Sequence, residues 1–420
     1  MSRSPAAPAN LSNLEISLFG HFGSTNFGNE GTLIACLSNL QRLLPGADFR
    51  CICTNPARAT AAYKIPSIPI FRSRHRSRNS NSRFVRIVRF AILRIPFEIY
   101  SWYEIYTTLK ATDLLIVPGT GLLTDAFGIR SWGPYNLLKW SLMAKLRGCG
   151  LYFISVGAGP LTSSLGKRLV KWALGLADFR SFRDSSSLAY MNGIGFHRCI
   201  DAVYPDLAFS LPKSLGARDD LTKKDEKKVI FGIGVMGRDP MYGNKPNTVN
   251  YNKYLEILAI LIKNLVERGH DVQLLTGDEG DITPEFSFLL NERLTASEAE
   301  RVKRTTATSV DELLRQVADT DFVVATRFHN VLFALLASKP TISISFHHKC
   351  RSLMDSMNLS EYCIDLSELT AENLISKVAS IQRDSDRLRS LIKTQSDSFA
   401  KILEEQYQLI AKDAIGRRFG

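Results

Sequence analysis

At 420 residues with 45% hydrophobic and 22% charged side chains, the chain is long enough for two to three domains of roughly 150 residues, each with its own core. That excludes a small disulfide scaffold and a wholly disordered chain. Fifty-three Lys and Arg against 41 Asp and Glu give a net charge of +12, and no run of about 18 apolar residues marks a membrane span. The opening MSRSPAAPANLSN reads as a flexible N-terminus over residues 1–13 without the apolar stretch of a secretory signal, so a cytoplasmic protein is expected. The seven cysteines, at 36, 51, 53, 149, 199, 350 and 363, are odd in number and scattered. They read as reduced packing residues, and the single residue between Cys51 and Cys53 is unlike C-x-x-C spacing.

Apolar β-type runs alternate with helical patterns from the start, the signature of a parallel sheet covered by helices. Predicted strands are Ile16–Phe19, Arg50–Thr54, Leu114–Val117, Tyr152–Val156 and Phe179–Phe182. Gly20, Gly119 and Gly157 follow three of them, at the loop ends where such sheets collect ligands. Between them, Arg72–Arg94 carries eight arginines and no acid. Arginines 83, 86, 89 and 94 share one side of a helical wheel, predicting a basic amphipathic helix. The readings that stay open for it are docking on anionic lipid, a solvated helix face over an ordinary core stripe, or a disordered Arg/Ser loop around Arg74–Arg83. Nucleic acid is not an expected partner, because the aromatics here form an apolar run and are not interleaved with the arginines.

The charged stretch PKSLGARDDLTKKDEKK breaks the pattern, giving an N-terminal Rossmann-like domain over 14–212, a linker over 213–228 and a C-terminal Rossmann-like domain over 229–383. In the second half, strands are predicted at Val229–Val235, Val272–Leu275, Phe322–Ala325 and Thr341–Ser345. Helices are predicted around Tyr254–Arg268, Ser309–Val317 and Val331–Leu336, and residues 384–420 form a last amphipathic helix around Asp384–Ala411.

Four constellations carry chemistry. Gly20-His-Phe-Gly-Ser-Thr-Asn-Phe-Gly-Asn-Glu30-Gly would turn backbone amides toward an anion at a helix start, but it matches neither G-x-G-x-x-G nor a Walker loop. Within it, Asn26 and Glu30 either hold sugar hydroxyls or brace the turn. Val117-Pro-Gly-Thr-Gly121-Leu-Leu-Thr-Asp125 is a glycine turn at a strand end. In Phe182-Arg-Asp184-Ser-Ser-Ser, Arg183 either grips a carboxylate or phosphate with its planar fork or pairs locally with Asp184. Most informative is Phe322-Val-Val-Ala-Thr-Arg327-Phe-His329, an apolar strand running into an arginine and a histidine before a helix. The next strand runs into Phe346-His-His-Lys349, so Arg327, His329, His347 and Lys349 suit a doubly anionic substrate and an acid or base working near neutral pH. No metal is expected, since the histidines lie beside cations and lack a carboxylate ligand set. The acids of TGDEGD (Asp278, Glu279, Asp281) read as a solvated turn.

The order of these motifs resembles the polysaccharide pyruvyl transferase family: N-x-G-[DN]-E at Asn26–Glu30, the P-G-T-G turn, F-R-D-x-x-S at Phe182–Ser186, Y-P-D-L-A-F at Tyr204–Phe209, R-x-H at Arg327–His329, and Lys349. The resemblance spans roughly residues 15–365. Asn29 stands where the loop usually carries an acid, and Phe346 and His347 replace the tyrosine and aspartate that commonly precede the lysine. The family implies an α/β fold of two Rossmann-like domains in a GT-B-like arrangement with the active site in the interdomain cleft. It implies transfer of the enolpyruvyl group of phosphoenolpyruvate onto two sugar hydroxyls as a cyclic ketal, with no cofactor. Arg183, His329 and Lys349 are then catalytic; Arg327, Arg183, Lys349, Gly119, Thr120 and Gly121 bind the donor; Asn26, Glu30 and His347 face the acceptor, a sugar, nucleotide-sugar or lipid-linked saccharide. The same layout also suits a nucleotide-sugar glycosyltransferase, with the TGDEGD acids drafted for ribose. A third reading is a non-catalytic, membrane-recruited assembly module relying on the arginine segment.

Overall fold

The computed structural model describes residues 14–71, 95–119, 121–126, 128, 129, 133–199, 201–216, 228–237, 248–278, 280–346 and 348–419. The N-terminus 1–13, the arginine segment 72–94 and most of the expected linker, 217–227, lie outside the described residues.

The strands are β1 (Glu15–Gly20), β2 (Asp48–Cys53), β3 (Ser67–Pro69), β4 (Leu114–Pro118), β5 (Gly150–Val156), β6 (Phe179–Phe182), β7 (Ala202–Val203), β8 (Ile230–Gly234), β9 (Asp271–Leu275), β10 (Val302–Lys303), β11 (Phe322–Ala325), β12 (Thr341–Ser345) and β13 (Cys363–Asp365). The helices are α1 (Phe27–Leu43), α2 (Pro56–Tyr63), α3 (Ile95–Thr108), α4 (Pro134–Leu146), α5 (Ser164–Gly175), α6 (Ser185–Gly193), α7 (Thr248–Glu267), α8 (Pro284–Arg293), α9 (Ala296–Ala299), α10 (Val310–Asp319), α11 (Phe328–Leu336), α12 (His348–Ser356), α13 (Ala371–Arg383) and α14 (Ser385–Phe419).

Every strand pairing is parallel. One sheet runs β3-β2-β1-β4-β5-β6-β7 and the other β10-β9-β8-β11-β12-β13. Parallel sheets require both faces covered, which is why β4 (LLIVP) and β5 (GLYFISV) are apolar but for Ser155 and buried along their whole length. Each sheet reverses its strand order once, at β1/β4 and at β8/β11. The carboxyl ends of those pairs are where open α/β sheets receive ligands.

The chain divides into two compact units that are not contiguous stretches: residues up to Ser24, 36–207 and 404 onward form one, and 25–35 with 208–403 the other. The contiguous division expected at 14–212 and 229–383, with a separate helix from 384, draws its boundaries elsewhere. Two sets of polar contacts account for the observed division. Phe27 N–H donates to Gly277 O (3.3 Å) and Thr25 Oγ1 to Asp278 Oδ1 (2.6 Å), so the start of α1 belongs with the second sheet. In the first unit, β5 pairs irregularly with β6 between Phe153 and Val156, and Ser155 there adopts φ 48°, a left-handed conformation unfavourable for a residue with a Cβ. A closed triangle of bonds holds it: Ser155 N–H donates to Ser181 Oγ (2.7 Å), Ser181 Oγ to Gln406 Oε1 (2.5 Å), and Gln406 Nε2 to Ser155 Oγ (3.1 Å).

Local chemistry sets the helix starts. Ser309 caps α10, accepting from Glu312 N–H, with Asp311 and Glu312 in the first turn where the helix dipole favours acids. Helix α11 begins at Phe328, three residues before the predicted Val331, because Arg327 takes the extended cap conformation. His329 therefore lies inside the first turn of the helix.

Candidate functional site

In the second unit, β11 ends at the reversal point and delivers Thr326 and Arg327 directly to the start of α11. Arg327 is fixed by a carboxylate: its Nε (2.9 Å) and Nη2 (2.6 Å) both donate to Asp281 Oδ1. The same oxygen accepts Gly237 N–H at 3.0 Å, while Oδ2 accepts the amides of Gly277 and Asp278 at 2.9 Å each. Asp281 is fully buried. The solvated-turn reading of the TGDEGD acids is thus overturned for Asp281, around which the turn after β9 folds. The charge that would be costly to bury alone is matched by a guanidinium and three N–H donors. Glu279 lies outside the described residues.

His329 meets the glycine loop of α1. The imidazole lies face-on against Gly28, so close that a Cβ built there would overlap Cγ, Cδ2 and Cε1 of the ring. Phe328 stands edge-on to the imidazole at 5.1 Å between centroids, and Phe333 lies 6.4 Å from it. Gly28 is therefore required for close approach of a helix to the histidine. Asn26 Oδ1 accepts the amides of Gly28 (3.2 Å) and Asn29 (3.3 Å), bracing the first turn of α1, in which Glu30 is buried. Asn26, Gly28, Asp278, Asp281, Arg327 and His329 thus converge in one unit from three distant stretches of sequence.

Lys349 is half-buried at the second position of α12, just past the end of β12, the strand that pairs with β11. His347, expected beside it, lies outside the described residues.

In the first unit, Arg183 stands at the end of β6 with its guanidinium against the backbone of Gly157, where a Cβ would come within 2.8 Å of Cζ. Its Nη1 donates to Asp206 Oδ2 (3.4 Å) and its Nε to Asp184 Oδ2 (3.3 Å). All three side chains are largely buried. Arg183 in F-R-D is thereby joined to Asp206 in Y-P-D-L-A-F as well as to its neighbour. Asp184 also caps α6 by accepting Ser187 N–H at 2.6 Å. Burial alone would raise the Asp184 carboxyl, but the Arg183 charge and the Ser187 amide outweigh it and hold the group below the usual carboxylate range.

Gly119 spends its amide on Ile154 O (2.8 Å), extending the sheet past β4. Gly121 borders open space, and Thr120 lies outside the described residues. Asp125 locks the turn to the loop after β5, accepting Thr162 N–H (2.8 Å), Thr162 Oγ1 (3.1 Å) and Ser163 N–H (2.8 Å). Burial pushes its carboxyl up, and the backbone and hydroxyl donations of Thr162 and Ser163, led by the Thr162 amide, bring it below its ordinary value. Sequence reasoning missed Asp281, Asp206 and the role of Gly28.

Comparison with known proteins gives the family and the fold. A family model described as polysaccharide pyruvyl transferase matches residues 26–348, from the cap of α1 through the Arg327 and His329 pair. No curated relative matches the chain. Among solved structures, MnaA of Staphylococcus aureus, determined with UDP, aligns with TM-score 0.60 at 11% identity over 94% of each chain. A glycosyltransferase from Rickettsia africae ESF-5 aligns with TM-score 0.56 at 11% identity over 96% of this chain and 98% of that one. HepE of Anabaena, in complex with UDP, gives 0.56 at 13% identity over 95% and 99%. At these identities the likeness is one of fold, two Rossmann-like domains.

Proposed function

Given that the chain belongs to the polysaccharide pyruvyl transferase family, we propose that it moves the enolpyruvyl group of phosphoenolpyruvate onto two hydroxyls of a sugar, in a polysaccharide or its precursor. The observation that carries this reading is Arg327 locked by buried Asp281, two residues before a histidine in the first turn of α11. A fixed cation beside an imidazole at a helix N-terminus suits a donor that bears both a carboxylate and a phosphate.

In the proposed reaction, His329 delivers a proton to C3 of the enolpyruvyl group, making C2 electron-poor. One sugar hydroxyl adds to C2 and gives up its proton. The C2–O bond to phosphate breaks, and phosphate departs with the electron pair while Arg327 and Lys349 offset its charge. The second hydroxyl then adds to C2 and loses its proton, closing the ketal. Two hydroxyl protons and one acid proton balance one methyl C–H, one protonated phosphate and the re-protonated imidazole. Electrostatic stabilisation of the leaving phosphate is the largest contribution, a few kcal/mol if it resembles an oxyanion contact. Arg183 and Lys349 enter as donor ligands through the family resemblance, with Gly119, Thr120 and Gly121 on the donor side and Glu30 and His347 on the acceptor side. Asn26 supports the acceptor side by holding the first turn of α1.

The UDP bound by the staphylococcal and Anabaena neighbours favours a nucleotide-linked sugar as acceptor. It also supports a second reading, sugar transfer from a nucleotide-sugar. The deciding assay is phosphate release from phosphoenolpyruvate with free, UDP-linked and lipid-linked sugars, comparing the wild type with His329→Ala. Acceptor-dependent release that falls by about 10²-fold or more in the variant is expected, the usual size of a lost general acid. Absence of release with every acceptor, alongside transfer from a UDP-sugar, would replace the first reading with the second.

A further inference from the structure

Helix α3 is attached to the rest of its unit along one side. Glu98 accepts from Lys139 Nζ (2.6 Å) and from the Tyr135 hydroxyl (2.6 Å), and Lys139 Nζ also reaches Ser101 Oγ (2.7 Å). Trp102 Nε1 donates to Tyr135 Oη (3.2 Å), and Ile105 is buried. On the opposite side Ile95, Ile99, Tyr100, Tyr103 and Tyr106 are all exposed, Ile99 by 65% and Tyr103 by 63%. At 100° per residue these five span an arc of about 140°, a continuous apolar and aromatic strip. Such a strip on a monomer marks a site of association.

Charge identifies the partner. The Arg147 guanidinium stacks over Tyr106 at 4.6 Å, and Lys110 is exposed just past the helix. Immediately before α3 the sequence carries the eight arginines and no acid of Arg72–Arg94. Among the described residues no helix is long and apolar enough to cross a membrane. Fourteen residues of α3 reach only about 21 Å against a hydrocarbon core of about 30 Å.

We propose that this face of α3 docks on the surface of a bilayer bearing anionic lipid, with the helix lying in the interfacial plane. Tyrosines suit the headgroup level, where ring and hydroxyl meet different surroundings. Each arginine near the surface adds about 1 kcal/mol of attraction. Lipid is favoured over a second copy because the sequence leading into the helix is strongly basic, with eight arginines and no acid, which suits an anionic surface.

The test is flotation of the full-length protein with vesicles of phosphatidylcholine alone or with one third phosphatidylglycerol, at low and high salt. Binding to the anionic vesicles is expected, at least tenfold weaker to the neutral ones and reduced by salt. The variant Ile99→Glu/Tyr103→Glu should lose binding at least tenfold at unchanged melting temperature. Equal binding by that variant, or no flotation with anionic vesicles, would overturn the proposal. So would a dimer that the variant dissociates without any vesicle binding, or Tyr103 shielded from iodination in the vesicle-free chain, the sign that the chain's own residues cover the strip. None of these readouts involves turnover, so they stand apart from the fate of the pyruvyl reading.

Discussion

His329 rests face-on against Gly28, with no room for a Cβ between the imidazole and the backbone of α1. Alanine in a helix is ordinarily favoured over glycine by about 1 kcal/mol, so a loss at this position isolates the contact. Gly28→Ala should lower kcat at least tenfold while overall helicity by circular dichroism stays at the wild-type level. Wild-type turnover in this variant would show that the ring can move without consequence.

Asp281 acts on the site through Arg327. Asp281→Ala strips the guanidinium of its two bonds to this carboxylate and removes the acceptor of the Gly237, Gly277 and Asp278 amides. Removing one partner of a buried pair costs roughly 3–5 kcal/mol, and with Arg327 18% exposed the lower end is expected. Asp281→Asn keeps a carbonyl acceptor, so it should fold nearly as well as wild type yet show a raised KM for phosphoenolpyruvate. A chemical melt and a KM-against-kcat comparison separate the two effects.

Acid should weaken the first unit through Asp125 and Asp184, both held below the usual carboxylate range by their partners. Groups so depressed stabilise the fold fully above the unfolded value near 3.9, and the contribution fades as pH falls through the lower folded value. Asp125→Asn is expected to lower the urea midpoint at pH 7 and to approach the wild type as pH drops below about 4. A constant gap across that range would mean the carboxylate charge is irrelevant there.

Thiol chemistry offers a check on packing. Six cysteines are buried and only Cys199 is exposed; burial pushes the Cys149 thiol up to about 11. A disulfide reagent at neutral pH should therefore modify one thiol of the seven rapidly, mapped to Cys199, and the remainder only on unfolding. Rapid reaction at a second position would locate a loosely packed element.

The long strands were legible because their apolar runs stop where the pairing stops, as at Phe322–Ala325 and Thr341–Ser345. Their alternation with helices sufficed for two parallel sheets. Short edge strands escaped: Ser67–Pro69, Ala202–Val203, Val302–Lys303 and Cys363–Asp365 span two or three residues, too few to show any period. At the site, Arg327 and His329 stood out as polar residues ending an apolar strand. Asp281 did not, because an acid among glycines looks like any surface turn until its partner, 46 positions on, is known. The loop glycines suggested amides turned toward an anion, whereas Gly28 serves the approach of an aromatic ring.

The Gln406 triangle ties the birth of the protein to its fold. Ser155 and Ser181 leave the ribosome long before the glutamine that completes their bonding, 225 residues beyond Ser181. At 5–20 residues per second that interval is roughly 10–45 s. Throughout it, the strained end of β5 has no Gln406 to hold it, and the first unit to be synthesised is among the last to be finished.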